Sequence, residues 1–296
     1  MDIRIISAPS ILGLKPSGVQ LLGKTLLDLG LAALPGAKTG IVKLPDPNKE
    51  YSFQRDPATN CLNAPALKDF CLELHATIKT TVANSEFPLV LGGDCSILIG
   101  VMSALKTNGR AGLLFLDAHA DFYSPETSVT GELADMDLAI VAGYGPPFLT
   151  NINDLGPYVD EEDIIHVGQR DQDETQKYNS PDIHQTEITC ISASDCGERG
   201  ASAVAAEVKE RMINSPAYGF WIHFDTDVLN DDLNPAVDYR LPGGLLIDDV
   251  HVIVSAALST GKCIGMSVTI YNPRLDAQAI VGRRLVAAIE RFFSVS

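Results

Sequence analysis

Short runs of successive apolar residues alternate along this chain with longer stretches in which apolar positions recur every three or four residues. The runs at Ile3 to Ser7, Pro88 to Leu91, Gly112 to Leu116, Asp163 to Val167, Gly219 to Phe224 and Cys263 to Ile270 are apolar on consecutive positions, which predicts strands covered on both faces. Helical spacing predicts helices over Ser17 to Leu34, Pro65 to Asn84, Ser96 to Lys106, Leu133 to Ala142, Ala201 to Ile213, Asp248 to Ser259 and Asp276 to Phe293. Elements alternating in this order make βαβ units around one parallel sheet. The Pro- and Asn-rich stretch from Pro35 to Pro65 reads as an irregular surface excursion, and Gly143 to Pro157 as a second long loop. No linker, repeat or low-complexity tract divides the pattern, so residues 1–296 are expected to form a single α/β domain.

Hydrophobic residues make up 46% of the chain, ample for a large core, and disorder as the dominant state is ruled out. The 22 Lys and Arg against 38 Asp and Glu leave a net charge of −16. A surface this acidic repels phosphate backbones and anionic lipid, so neither nucleic acid nor a membrane is an expected partner. No apolar stretch approaches the roughly 18 residues of a membrane span. The N-terminus lacks the basic segment and apolar run of a signal peptide, and the protein is expected to be cytoplasmic. Six cysteines dispersed without C-x-x-C spacing fit reduced thiols. Part of the acidic excess can lie inside the protein, as ligands of bound cations.

In a parallel α/β sheet, ligands bind beyond the carboxyl ends of the strands. Two of those ends carry Asp117-Ala-His119-Ala-Asp121 and Asp225-Thr-Asp227. Spacing by two on extended backbone is expected to set Asp117, His119 and Asp121 on one side, and Asp225 and Asp227 likewise. Four carboxylates brought together without cations would repel, and some would stay protonated. Two divalent cations bridged by carboxylates resolve the repulsion. His223, two residues before Asp225, is either a supporting or proton-transfer group of this site or a hydrogen-bonded core histidine. His75, His166, His184 and His251 show no ligand spacing.

A third strand end reads Leu89-Val-Leu-Gly92-Gly93-Asp94-Cys95-Ser96, where the glycines permit a tight turn and Asp94 or Ser96 can cap the next helix. With this run, the sequence resembles the ureohydrolase family of arginases, agmatinases and formiminoglutamases, which carry G-G-D-H-S, D-A-H-x-D and F-D-x-D in the same order. The likeness extends to Gly168-Gln-Arg170-Asp171, Pro242-Gly-Gly-Leu245 and Asn272-Pro273, and so spans Leu89 to Pro273. It implies a three-layer α/β/α fold with a mainly parallel sheet, a two-manganese centre with a bridging hydroxide, and a homo-oligomer. Position by position, it implies one metal held by Cys95, Asp117, Asp121 and Asp225 and another by Asp117, His119, Asp225 and Asp227. Asp117 and Asp225 would bridge, and Asp121 would hold the hydroxide and accept its proton.

This chain departs from the family pattern in several places. The first histidine ligand is Cys95, whose thiolate would turn the site from manganese toward zinc, nickel, cobalt or iron, unless Cys95 is simply a buried small residue. The proton-shuttling histidine of the arginases is Ala134, and the glutamate that pairs the guanidinium is Ile270. A guanidinium buried against Ile270 would be unpaired and costly, so plain arginine or agmatine is disfavoured. The arginase asparagine that reads the amino-acid end is replaced by Tyr123, and Arg240, near the D-x-D loop, is either a source of positive charge for the site or, the more common case, a solvated arginine. The expected function is a dinuclear-metal hydrolase that cleaves a linear non-peptide C–N bond of an amidine, guanidine or hydroxyguanidine small molecule. The alternative is a catalytically silent arginase-like binding or interaction subunit. A metallophosphoesterase would need G-N-H and G-H-x-H histidines that the chain lacks.

Overall fold

In the computed structural model, which describes residues 1–38 and 40–294, the first half of the chain runs β1 (Ile3–Ser7), α1 (Leu22–Asp28), β2 (Val42–Lys43), α2 (Ala64–Ala83), β3 (Phe87–Leu91), α3 (Ile97–Lys106), β4 (Gly112–Leu116), α4 (Asp137–Val141) and α5 (Pro147–Thr150). It continues as β5 (Ile164–Gln169), α6 (Gln172–Lys177), β6 (Thr189–Ser192), α7 (Ala193–Arg199), α8 (Ala201–Asn214), β7 (Phe220–Asp225), α9 (Ile247–Leu258), β8 (Cys263–Thr269) and α10 (Ile280–Phe293). The strands form one sheet in the order β2-β1-β3-β8-β7-β4-β5-β6. Every neighbouring pair is parallel.

Successive side chains of a strand point to opposite faces, and both faces are covered. Ile5, Leu89, Leu114 and Ile222 pack with Leu22, Val204, Val250 and Leu285 of α1, α8, α9 and α10. Ile6, Val90, Leu113, Phe115 and Trp221 pack with Leu67, Leu98 and Leu138 of α2, α3 and α4 on the other side. The result is a single three-layer α/β/α domain. Among the described residues no helix is long and apolar enough to cross a membrane.

The six strands expected from apolar runs all form, within a residue or two at either end. The two strands beyond them, β2 and β6, are the sheet's outer edges. Edge strands are half exposed and carry no continuous apolar run, so the signal that marks the inner strands is missing from them. β2 lies inside the stretch taken as an excursion. The helix expected over Ser17 to Leu34 breaks into α1 between two 3₁₀ turns, because Gly18 (φ 147°) and Gly30 (φ 119°) leave helical space. Leu133 to Ala142 divides into a 3₁₀ turn and α4 at Met136 (φ −134°). Asp276 stays outside α10, and its carboxylate accepts from the Ile280 and Gly282 amides at 2.9 and 2.8 Å.

Candidate metal centre

The strand register sets the two acidic runs side by side. β4 and β7 pair Phe115 with His223 and Leu116 with Phe224, so the chain leaves them with Asp117 next to Asp225. Asp225 is in turn registered with Thr269 of β8. Beyond the strand ends the backbone is not extended, contrary to the sequence expectation. The Asp117 carboxylate accepts from the His119 amide at 2.7 Å, and the Asp225 carboxylate from the Asp227 amide at 2.7 Å. Each aspartate thus closes a turn on itself, and this turn brings the i+2 side chain round. Asp121 is reached through a left-handed residue, at φ 45°.

Cys95 arrives from β3. A Cβ at Gly93 would lie 1.7 Å from the Ser10 carbonyl oxygen, so only glycine can turn there. The buried Asp94 carboxylate accepts from the amides of Ser96 at 3.0 Å and Gly13 at 3.2 Å, which fixes the turn. The Cys95 thiol donates to Asp225 Oδ2 at 2.6 Å and its Sγ lies 3.3 Å from Thr269 Oγ1.

Two groups of ligand atoms result. Those of Cys95, Asp117, His223 and Asp225 all lie within 4.8 Å of one another, and those of Asp117, His119 and Asp227 do the same. Asp117 is common to both, while Asp225 is in the first only. Asp121 is buried and lines the same pocket as Cys95, His119, Asp225 and Asp227, but it stands outside both groups.

Charge crowding governs the protonation of these groups. Burial, then the charge of Asp227, pushes Asp117 up to about 7. Burial and neighbouring carboxylates raise Asp121 and Asp225 well above the usual range, and burial with the charges of Asp225 and Asp117 does the same to the Cys95 thiol. Burial lowers His119, but Asp227, whose Oδ2 is 2.9 Å from Nδ1, and Asp117 together outweigh that and raise it. Asp117 Oδ2 is buried and has no hydrogen-bond partner among the described residues. Leaving such oxygens unpaired costs several kcal/mol, about the size of a lost charged hydrogen bond or more. A cluster of hard oxygen donors with an imidazole and a thiol therefore fits a pair of divalent cations.

A pH dependence follows. A carboxyl whose folded value exceeds its unfolded one binds the proton more tightly when folded, so its contribution to stability declines as pH rises between the two values. For Asp117 that window runs from 3.8 to about 7. The raised His119 acts in the same direction, its stabilisation being lost as pH rises through its folded value. Chelator-treated protein is therefore expected to melt lower at pH 8 than at pH 5.5, and a divalent metal to restore most of the difference. A melting temperature that rises over this interval without metal would overturn the assignment.

Supporting contacts come from residues with no role in the sequence reading. Arg170 donates to the Asp227 and Leu229 carbonyls at 2.7 and 3.2 Å and clamps the Asp225 to Asp227 loop. Asp171 accepts from the Ala120 amide at 3.1 Å, and His166 Nε2 lies 3.2 Å from the Asp117 carbonyl. The signal was present, since Gly168 to Asp171 closes a strand at the same end of the sheet as the acidic runs.

Above the two groups is a cavity of about 260 Å³. Leu14, Ala134 and Ile270 line it beside Cys95 and belong to one small apolar cluster. Ile270 holds φ 70°, a costly conformation for a β-branched side chain. The remaining lining includes Tyr123, Glu132, Asp135, Asp171, Glu174 and Asp238, and among the described residues no lysine or arginine. Glu132 accepts from the Tyr239 hydroxyl at 2.7 Å, and burial pushes Asp135 up to about 7. Arg240 is spent elsewhere, in a two-point pair with Asp231 at 2.6 and 2.8 Å, and does not line the cavity.

A sequence model of the Arginase family matches residues 32–292. The chain is 28% identical to the arginase of Staphylococcus aureus strain COL, over 98% of this chain and 96% of that protein. It is similar to the crystal structure of the Bacillus caldovelox arginase, with a TM-score of 0.88 and 25% identity over 99% of this chain and 98% of that one. It shares its fold with the formimidoylglutamase of Bacillus subtilis, at a TM-score of 0.72 and 18% identity over 98% and 85% of the two chains.

Proposed function

The chain belongs to the arginase family and is a metal-dependent ureohydrolase-type enzyme, and on that premise we propose that it hydrolyses the C–N bond of an amidine-type small molecule whose reacting end is weakly basic enough to react in its neutral form, as a hydroxyguanidine is, and whose far end is cationic. The observation that carries this reading is the lining of the cavity, in which Leu14, Ala134 and Ile270 are apolar beside Cys95 while Glu132, Glu174 and Asp238 offer carboxylates. A guanidinium would meet no partner at Ile270, whereas a neutral planar carbon is at home against it. An ammonium elsewhere on the substrate gains from the carboxylates.

Cys95, Asp117, Asp121 and Asp225 would hold one cation and Asp117, His119, Asp225 and Asp227 the other, with manganese expected where the donors are His119 and carboxylates. When bound, the pair supplies Lewis acidity and a water acidic enough to attack at neutral pH. Asp121 would accept and hold a proton at a carboxylate oxygen beside the reacting centre. Ile270 and Ala134 keep bulk water from the planar carbon. Asp135, with an acidity near neutral, can hold the proton that the departing amine needs, work done in the arginases by a histidine where this chain has Ala134. The same reading includes a homo-oligomer in the cytoplasm.

Incubation with arginine, agmatine, hydroxyguanidines, formimino compounds and amidines under manganese, zinc, cobalt and iron(II) tests this. Release of urea, hydroxyurea, formamide or ammonia is expected, with kcat/KM at least about tenfold higher for the weakly basic compounds than for arginine, a margin of only about 1.4 kcal/mol. A preference for arginine, or silence across the panel with full metal content, would sink the proposal.

A further inference from the structure

We infer that His223 is itself a metal ligand, so that the first site is a sulfur, nitrogen and two-oxygen set of Cys95, His223, Asp117 and Asp225 that selects zinc, cobalt or iron(II) over manganese. The inference rests on the binuclear-metal reading above and gives the two sites different chemistry. The ligand atoms of these four buried residues already lie within 4.8 Å of one another.

The ring is oriented for the task. His223 Nδ1 lies 2.9 Å from Ser267 Oγ, which also accepts from Trp221 Nε1 at 2.9 Å. A hydroxyl oxygen has two acceptor sites, so Ser267 can take both N–H groups. With Ser267 accepting from Nδ1, the lone pair is left on Nε2. Nε2 faces the cluster, since it and Cys95 Sγ each lie 3.3 Å from Thr269 Oγ1. Phe115 stacks on the imidazole with centroids 5.0 Å apart and planes 11° from parallel, which holds its tilt. The ring is completely buried, with no solvent on either face. A neutral imidazole whose other N–H is held by a hydrogen bond is the form in which histidine ligates. Asp117, whose buried Oδ2 has no hydrogen-bond partner among the described residues, supplies an oxygen in the same group. A soft sulfur and a borderline nitrogen beside two carboxylates favour zinc, cobalt or iron(II), whereas His119, Asp117 and Asp227 make a harder set.

The test reads the metal, not turnover. In His119→Asn, His223 is the one imidazole left in either group, and X-ray absorption with one equivalent of cobalt(II) is expected to find sulfur and imidazole on the same ion. Adding His223→Gln should remove the imidazole scattering, keep the sulfur-to-cobalt charge-transfer band and lower cobalt affinity about tenfold or more. Ser267→Ala, which frees the ring without emptying the core, should lower affinity in the same direction. The parent protein at one equivalent of cobalt gives a second reading if a variant does not fold. Cobalt bound through sulfur with oxygen neighbours only, or unchanged affinity in folded His223→Gln, overturns the inference. Imidazole-bound cobalt in a protein that turns over nothing would instead sink the hydrolase reading and leave this one standing.

Discussion

Replacing Asp117 by asparagine is expected to empty both metal sites and to lower turnover by more than about a hundredfold. Asp117 is the one residue common to both ligand groups, and among the described residues its Oδ2 has no hydrogen-bond partner to fall back on. Loss of an outer hydrogen-bonding residue around a metal typically costs 10- to 100-fold, so loss of a shared ligand should exceed that. A neutral amide cannot offset two dications, yet it has the size of the carboxylate and can still accept from the His119 amide at its oxygen, so the fold should survive. Asp225→Asn makes the informative comparison. If only the first group depends on Asp225, one metal per chain should remain; if Asp225 bridges as the family resemblance implies, both should be lost. Asp117→Asn with two metals bound by elemental analysis would show that the sites are held by other residues.

Ile270→Glu should reverse the substrate preference. The side chain faces the cavity beside Cys95 and Ala134, in surroundings apolar enough that a new carboxylate there would strongly favour a cationic reacting group. Pairing a desolvated guanidinium is worth about 2–5 kcal/mol where both charges are buried. Even part of that exceeds the 1.4 kcal/mol that a tenfold change requires. The kcat/KM for arginine relative to a hydroxyguanidine should therefore rise at least about tenfold in Ile270→Glu, while Ile270→Gln, nearly the same size without the charge, should leave the ratio unchanged. Equal ratios in the two variants would mean that this wall does not choose the substrate's charge. The left-handed backbone at Ile270 adds a reason to regard the position as functional, because strain of this kind persists where the surroundings require a particular side chain.

The inner layers of the fold were legible because burial on both faces leaves a mark that local sequence can carry. β1, β3, β4, β5, β7 and β8 are each written as an apolar run, and each is found. β2 and β6 were not legible, since an edge strand needs no such run. For β6 a trace was nevertheless present: Ser192 and Asp195 form a capping box that announces α7 immediately after it. The bends at Gly18, Gly30 and Met136 interrupt stretches whose apolar spacing is uniformly helical, because spacing reports the buried face and not the backbone angle at one residue.

The sequence by itself determined which residue types stand at the strand ends, and with them the divalent-metal chemistry, because Asp117, His119, Asp121, Asp225 and Asp227 are recognisable from spacing and Cys95 and Ile270 as departures from a known pattern. Only the tertiary structure decided who stands next to whom. Placing β8 between β3 and β7, with β4 on the far side of β7, brings Cys95, Ile270, Asp225 and Asp117 to four consecutive strand ends, though they are scattered over most of the chain. It also decided that His223 shares a group with Cys95 while Asp121 stands apart, that Arg240 is tied to Asp231, and that Asp137 is fully buried. The physical reason is that strand order and register are set by how whole faces pack across the sheet, a property of long-range contacts to which no single stretch of sequence gives a local signal.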